Sequence, residues 1–357
     1  EAWAMKNFAL AFFKRNKIKI NIMKKIILSI SILIIAFGLK AQNVNIPDAN
    51  FKSYLVNNGF INANNDSEIQ VSEALAFTGS IDCFNLGVND FTGIEAFTNI
   101  TFFQSGGGNV GSLNLSNNTA LVTVRCLSCQ LTSINLTNLT NLQFLDCYSN
   151  QLTTLDLSSN TALIDVKAYD NNLTSINLSN CTSLTDLNVD DNQLSILDLS
   201  TNAALEELYI RSNLFTSIDI SNNLNLEVFV GRFNQLTTIN TSNNTALRVI
   251  YCKGNQISSF DFSNNPQLSS LFCSDNLLTS LDFTNNNNLY NINCSGNQIN
   301  TILFPNSLPF FTYLTCSNNL LNTLNLSTAV SLEAVSCDNN NLVFLNLANL
   351  GNTLITD

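Results

Sequence analysis

From residue 100 to residue 349 the apolar residues recur with a period of 21. In "LQFLDCYSNQL", residues 142–152, positions 1, 4, 6 and 11 are apolar and position 9 is Asn. The following "TTLDLSSNTA" adds Leu155 and Leu157 at positions 14 and 16. Units begin at Ile100, Leu121, Leu142, Leu163, Leu184, Leu205, Leu226, Leu247, Leu268 and Leu289, then at Phe311 and Leu332 after a one-residue insertion near Pro305. A degenerate unit, "IDCFNLGVNDFTGIEAFTNI", leads the array. A fixed short period specifies a solenoid, in which each coil buries its apolar face on its neighbours. Both halves of the unit alternate with period 2 and neither carries a helical stripe, so the outer face is expected to be extended. The prediction is a β-rich stack of about 13 coils of 21–22 residues, about 60 Å long at ~4.8 Å per strand.

The consensus LxxLxLxxNxL resembles leucine-rich repeats over about three quarters of the chain. The 21-residue unit, with Cys at position 6 and "LDLSxN" in its second half, is similar to bacterial internalin-type surface proteins and related secreted repeats of Bacteroidetes. That resemblance implies parallel strands on a concave face and an asparagine ladder at position 9. The ladder also has a physical basis. A tight turn leaves buried backbone groups without partners, and an amide side chain both donates and accepts. Asn150, Asn171, Asn192, Asn213, Asn234, Asn255, Asn276, Asn297, Asn319 and Asn340 occupy this position.

Eight of the ten cysteines fall at inward-pointing position 6, where other units carry Ala168, Val189 or Ile210. Cysteine there acts as a small hydrophobe. Stacked strands hold such side chains ~4.8 Å apart, wider than the ~3.8 Å between Cβ atoms that a disulfide prefers. Free thiols are therefore expected. In "CLSC", residues 126–129, Cys129 stands where the ladder asparagine belongs.

Charge divides the chain. Eight of the fifteen basic residues precede position 42, and Gln42 onward holds 7 basic against 25 acidic residues, a net of −18. Such a balance argues against nucleic acid and anionic membranes as partners. The basic segment contains "MKKIILSISILIIAFGLKAQ", two lysines before a thirteen-residue apolar run, Ile26 to Gly38. It reads as a secretory signal peptide at 23–42, cleaved after Ala41, with an apolar run too short to span a bilayer. Residues 1–22 are expected to be an upstream extension, and the product to be secreted or displayed on the outer cell surface with no membrane span after cleavage.

Residues 43–77 read as an N-terminal cap before a repeat domain at 78–357. "IPDANFKSYLVNN" predicts a helix with Pro47 and Asp48 at its start and Phe51 and Leu55 on one face. "NANNDSEIQVSE", residues 62–73, resembles an EF-hand loop, with Asn62, Asn64, Asp66 and Glu68 at loop positions 1, 3, 5 and 7 and Glu73 at 12. Ser67 replaces the usual glycine and Asn62 the usual aspartate. Weak calcium binding and a plain capping hairpin are both open readings, because a terminal repeat must cover its apolar edge in either case.

The letters left free on the strand face are positions 3, 5, 7 and 8. Position 5 runs Tyr209, Val230, Tyr251, Phe272 through four adjacent coils, and position 7 runs Arg211, Arg232, Lys253 through three. Tyr148 and Tyr169 precede them at position 7, and Phe233 adds a further ring. Like charges on adjacent strands oppose stability. Cations beside aromatic faces suit an acidic protein loop or an acidic glycan.

Catalytic signals are weak: the chain has no histidine, and the GxGxxG spacing at Gly106, Gly108 and Gly111 falls inside a degenerate repeat. The reading is a non-enzymatic, monomeric binding protein that engages a protein or acidic glycan through its concave face. Its alternatives are a spacer in a longer adhesin, or a polysaccharide-processing solenoid enzyme using Arg211, Arg232 and Asp190, which rests on fold analogy alone.

Overall fold

The computed structural model describes residues 42–347, the backbone of Leu354–Thr356 and the isolated positions 19 and 23. The expected signal segment and the stretch before it lie almost wholly outside the described residues. One parallel sheet of fourteen strands runs the length of the array, each strand hydrogen-bonded to those of the preceding and following coils. Between the end pairs, Ser80↔Phe102 and Ala334↔Leu354, the register advances 21 residues per coil, as in Leu145↔Val166 and Leu187↔Leu208. It becomes 22 across the insertion, where Ile292 pairs with Leu314. Only parallel pairing in constant register keeps a 21-residue apolar pattern on one face, since a slip of one residue would turn every side chain over.

The outer side is extended and turn-rich. Short parallel pairs form there, such as Ser112–Asn114 with Ser133–Asn135 and Thr154–Asp156 with Ser175–Asn177. Between the two sides lies a continuous apolar core built from positions 1, 4, 6, 11, 14 and 16. Position 16 becomes a ladder of parallel rings, with Phe262 5.8 Å from Phe283 and Phe283 6.0 Å from Phe304.

The asparagines at position 9 join each coil to the one before. Asn150 Nδ2 donates to Cys126 O at 2.7 Å and Cys147 O at 2.9 Å, while its Oδ1 accepts from the backbone N–H groups of Cys129 and Leu131. Asn213 and Asn297 make the same two donations and accept one backbone N–H each, from Leu194 and Leu278. A second asparagine column, absent from the sequence reading, runs through position 19: Asn118, Asn160, Asn202, Asn223, Asn244, Asn265 and Asn286, all fully buried. Asn160 Nδ2 donates to Leu136 O at 2.9 Å and Leu139 O at 3.1 Å. Its sequence signal is a period-21 Asn in the "SxN" of the second half. Cysteine fills a gap in each column: Cys129 replaces Asn at position 9, and Cys181 replaces it at position 19, its thiol meeting Leu157 O at 3.3 Å.

All ten cysteines are free thiols. Burial pushes the pKa of the nine buried ones up, Cys147 to about 12. A buried, protonated thiol is a poor nucleophile and behaves as a small apolar group.

At the N-terminus, helix α1 (Ala49–Val56) starts on Asp48, whose Oδ1 accepts the N–H groups of Asn50 and Phe51, and it buries Phe51 and Leu55 on the first coil. Helix α2 (Val71–Ala76) follows the 62–70 loop behind a capping box of Gln70 and Glu73. Among the described residues no helix is long and apolar enough to cross a membrane.

Candidate functional site

The side chains named from the sequence as calcium ligands are bonded within the loop, except Glu68. Glu73 Oε1 accepts the N–H groups of Ala63 and Asn64, and its Oε2 accepts that of Gln70. Asp66 takes the N–H of Glu68 and the amides of Asn64 and Gln70. Glu68 pairs with Lys52 Nζ at 2.7 Å, and Asn62 donates to Val56 O and Asp66 O. Among the described residues no group of three or more carboxylates or thiols is placed to hold a metal. The carboxylates Asp66 and Glu73 satisfy the loop's own backbone and close it as a cap. The Gly-rich run likewise ends the strand Phe102–Gly106, turns at Gly107 and leads into another strand, Ser112–Asn114, not a helix.

On the concave sheet the aromatic residues form two columns. Tyr148 and Tyr169 stack at 4.4 Å with planes 8° apart. Tyr251 and Phe272 stack at 4.3 Å and 3°. The guanidinium of Arg232 lies 5.6 Å from the Tyr251 centroid on the neighbouring coil, a cation–π contact. Each stacked ring thus turns one face onto its neighbour, and Arg232 covers the Tyr251 ring as well. Burial and the neighbouring Tyr148 raise the Tyr169 phenol to about 12. Val230 departs from the expected contact surface: it is 5% exposed. Its strand partners Tyr209 and Tyr251 carry larger side chains that stand above it.

Arg211, Arg232 and Lys253 do not form a bare cationic ladder. Arg211 pairs with Asp191 through Nη2 and lies 3.8 Å from Asp190 through Nε. Lys253 Nζ is 3.3 Å from Asp275. Arg232 alone among the three makes no ion pair with a described residue, its positive charge being set over the Tyr251 ring. Burial raises the Asp190 carboxyl to about 6, although it accepts the Arg211 backbone N–H at 2.6 Å and lies beside two guanidinium groups. Arg211 is therefore committed to carboxylates and, as a guanidinium, has no lone pair to offer as a base.

Position 8 is not a free letter. From Asn85 to Asn339 it is left-handed in every coil, with φ between 52° and 72°. Small, polar or Gly residues fill it because only they tolerate that region cheaply, and this enrichment is the signal that marks it as a turn in the sequence. Phe233 is the exception, with φ 55° and half of its surface exposed. Its ring lies over Gly254 of the next coil, where an added Cβ would come within 2.7 Å of the ring. In the same coil Gly231 takes the position-6 cysteine's place, because the Phe229 ring fills that space. The coil beginning at Leu226 is thus rebuilt inside and out.

No family model and no curated protein matches the chain. Solved structures do. The functional domain of InlJ from Listeria monocytogenes, which includes a cysteine ladder, is 28% identical with a TM-score of 0.60, over 84% of this chain and 76% of that one. The internalin inlF from Listeria monocytogenes is 22% identical with a TM-score of 0.63, over 89% and 93% of the two chains. YopM, a leucine-rich effector protein from Yersinia pestis, is 27% identical with a TM-score of 0.51, over 58% of each. The period of 21, the two asparagine columns and the continuous parallel sheet place this chain among leucine-rich-repeat solenoids, with internalins and other leucine-rich-repeat proteins as its structural neighbours.

Proposed function

We propose that the protein is a secreted or surface-displayed binding module, not an enzyme, which engages a protein partner through the concave face of the coils beginning at Leu205, Leu226 and Leu247. Tyr209, Arg232, Phe233, Tyr251 and Phe272 form the contact surface, with Tyr148 and Tyr169 extending it towards the N-terminus. The observation that carries this reading is the stacking of Tyr251 on Phe272 at 4.3 Å with Arg232 beside Tyr251. Each stacked pair turns one face of each ring onto its neighbour, which reduces the flat area open to a sugar ring. Ring edges, which carry partial positive charge, and phenolic hydroxyls suit the carbonyls and side chains of a protein. An acidic glycan is also less favoured than the sequence suggests, because Arg211 and Lys253 already have carboxylate partners. The internalin and YopM likenesses support a protein-binding role, and the 23–42 segment supports export as a monomer capped by residues 43–77.

The test is selection of a displayed random dodecapeptide library on the purified protein. Selected peptides are expected to bind the parent and to lose at least tenfold in affinity for a Tyr209→Ser/Tyr251→Ser/Phe272→Ser variant that melts like the parent. Peptides that bind this variant unchanged place the working surface elsewhere. N-terminal sequencing of secreted protein is expected to begin at Gln42.

A further inference from the structure

The unpartnered sheet face changes character along its length. Its aromatic column occupies position 7 at Tyr148 and Tyr169 and crosses to position 5 at Tyr209, Tyr251 and Phe272. Its cations make a related move, from position 5 at Arg125 and Lys167 to position 7 at Arg211, Arg232 and Lys253. Where the two aromatic columns cross, between the coils at Leu163 and Leu205, the face carries carboxylates at its strand positions. Asp165, Asp186 and Glu207 lie in direct register on adjacent strands, with Glu206 beside them.

The ion pairs show which charges the fold has neutralised. Lys167 serves Asp165 at 2.5 Å and Asp146 at 3.9 Å, Arg211 serves Asp190 and Asp191, Arg248 serves Glu227, and Lys253 serves Asp275. Among the described residues no cation lies within 4 Å of Asp186, Glu206 or Glu207. Asp186 accepts only the Thr185 hydroxyl and Glu207 the Tyr209 hydroxyl among side-chain donors. Against these three carboxylates stands one guanidinium without a carboxylate, that of Arg232. The charge of Lys167, already shared by Asp165 and Asp146, also reaches Asp186, so the aromatic face presents a net negative field at its centre, opposite in sign to what the basic column suggests when read alone.

From this charge balance we infer that the partner is a basic protein segment. Its lysine or arginine side chains lie between the two aromatic columns against Asp186, Glu206 and Glu207, while its apolar groups meet the edges of Tyr169, Tyr209 and Tyr251. The inference rests on the proposed concave-face function and specifies its ligand. Hydrogen bonds from a cation to a carboxylate are strong and oriented, and complementary charge across an interface sets specificity and association rate. The remaining free cation, Arg232, marks where that segment gives way to an acidic or carbonyl group.

The same dodecapeptide selection separates the two levels of the argument. Two variants with equal loss of charge are compared: Asp186→Asn/Glu207→Gln on the face, and Asp198→Asn/Asp219→Asn at position 15, outside the concave sheet strands. The second pair is benign because each carboxylate accepts one nearby backbone N–H, from Ser200 and Ser221, which an amide oxygen also accepts. The expected result is enrichment of Lys- and Arg-containing sequences whose affinity falls at least tenfold on the face variant, stays within twofold on the other, and weakens with salt. Three results overturn the inference: enrichment of acidic or neutral peptides that still depend on Tyr209, Tyr251 and Phe272, enrichment of no basic sequence, or basic peptides weakened equally by both variants, which is bulk charge attraction. In the first of these the concave-face function survives and only the ligand assignment fails. Peptides indifferent to the aromatic triple variant overturn the function itself.

Discussion

The coils at Leu205, Leu226 and Leu247 and those at Leu289, Phe311 and Leu332 share one framework and differ almost wholly in what they show to solvent. Both bury the same leucines and both use the position-9 asparagine in the same way, as at Asn213 and Asn319. Yet position 7 reads Arg211, Arg232, Lys253 in the first group and Ser295, Ser317, Asp338 in the second, while position 5 reads Tyr209, Val230, Tyr251 against Asn293, Thr315, Ser336. Small polar residues therefore satisfy the concave face of this solenoid. The aromatic rings, the half-buried carboxylate and the left-handed phenylalanine of the central coils are additions that the fold does not require. Features that cost stability and concentrate in one region point to a site.

The comparison breaks first if the framework is not shared. Replacing a ladder asparagine by alanine strands one backbone N–H and several carbonyls at once, each orphaned group costing ~1–3 kcal/mol. Asn213→Ala and Asn297→Ala are each expected to lose about 3 kcal/mol or more in urea denaturation, and by similar amounts. A large difference between them would show that the two regions are not mechanically equivalent.

The next largest effect belongs to Asp190. Its folded pKa, about 6, lies above the ordinary 3.8, so the folded state holds the proton more tightly and stability falls as pH rises from about 4 through 6. The net shift, which already includes the Arg211 contact, corresponds to roughly 3 kcal/mol at most for full ionisation. Asp190→Asn is expected to match the parent at pH 4, to gain progressively to pH 6–7, and to hold a constant advantage above pH 7. Melting curves across that range test it. An advantage independent of pH would mean that the carboxyl is not desolvated in the folded state.

A smaller gain is expected from Phe233→Asn. A bulky residue in the left-handed region costs ~1–2 kcal/mol, less for Asn, and half of the ring is already in water. The variant should be more stable by about 1 kcal/mol, whereas the reverse change in a plain coil, Asn318→Phe, should lose a similar amount. If Phe233→Asn is destabilising, the ring is a structural clasp on Gly254 and not a strained contact residue.

The smallest effect concerns the surface ion pairs. Arg248→Ser separates an exposed pair with Glu227 and is expected to change stability by less than ~1 kcal/mol. Arg232→Ser, which removes only a cation–π contact, should do the same while weakening any selected peptide that carries a carboxylate.

How far the sequence could be read follows the geometry of each position. Leu145, Cys147 and Asn150 face a neighbour of the same kind in the next coil, so a period of 21 fixes both residue and environment. The capping helix was legible for a similar reason: Asp48, Phe51 and Leu55 are local signals. Position 19 was legible in principle, since Asn recurs there seven times, but the weaker periodicity of the outer half hid it. The cap loop stayed open in the sequence because Asp66 and Glu73 serve equally as metal ligands or as acceptors for backbone N–H groups, and spacing alone does not separate the two. Val230 misled because alternation assigns a face and not an exposure, and larger neighbours on both sides cover it.

The sequence by itself determined the period, the number of coils, the inward columns and the identity of every outward letter. Burial of apolar groups is additive along a stack, so a pattern repeated thirteen times is read from one coil. Only the tertiary structure decided how the outward letters combine. Arg211 finds its carboxylates in the preceding coil at Asp190 and Asp191, Lys253 finds Asp275 in the following one, and Arg232 finds a ring. These partners are about twenty residues apart in the chain and compete for the same side chains, so their pairing depends on rotamers and distances that no one-dimensional pattern records. The left-handed turn at position 8 and the net negative field at Asp186 and Glu207 emerge at the same level, where neighbouring coils meet.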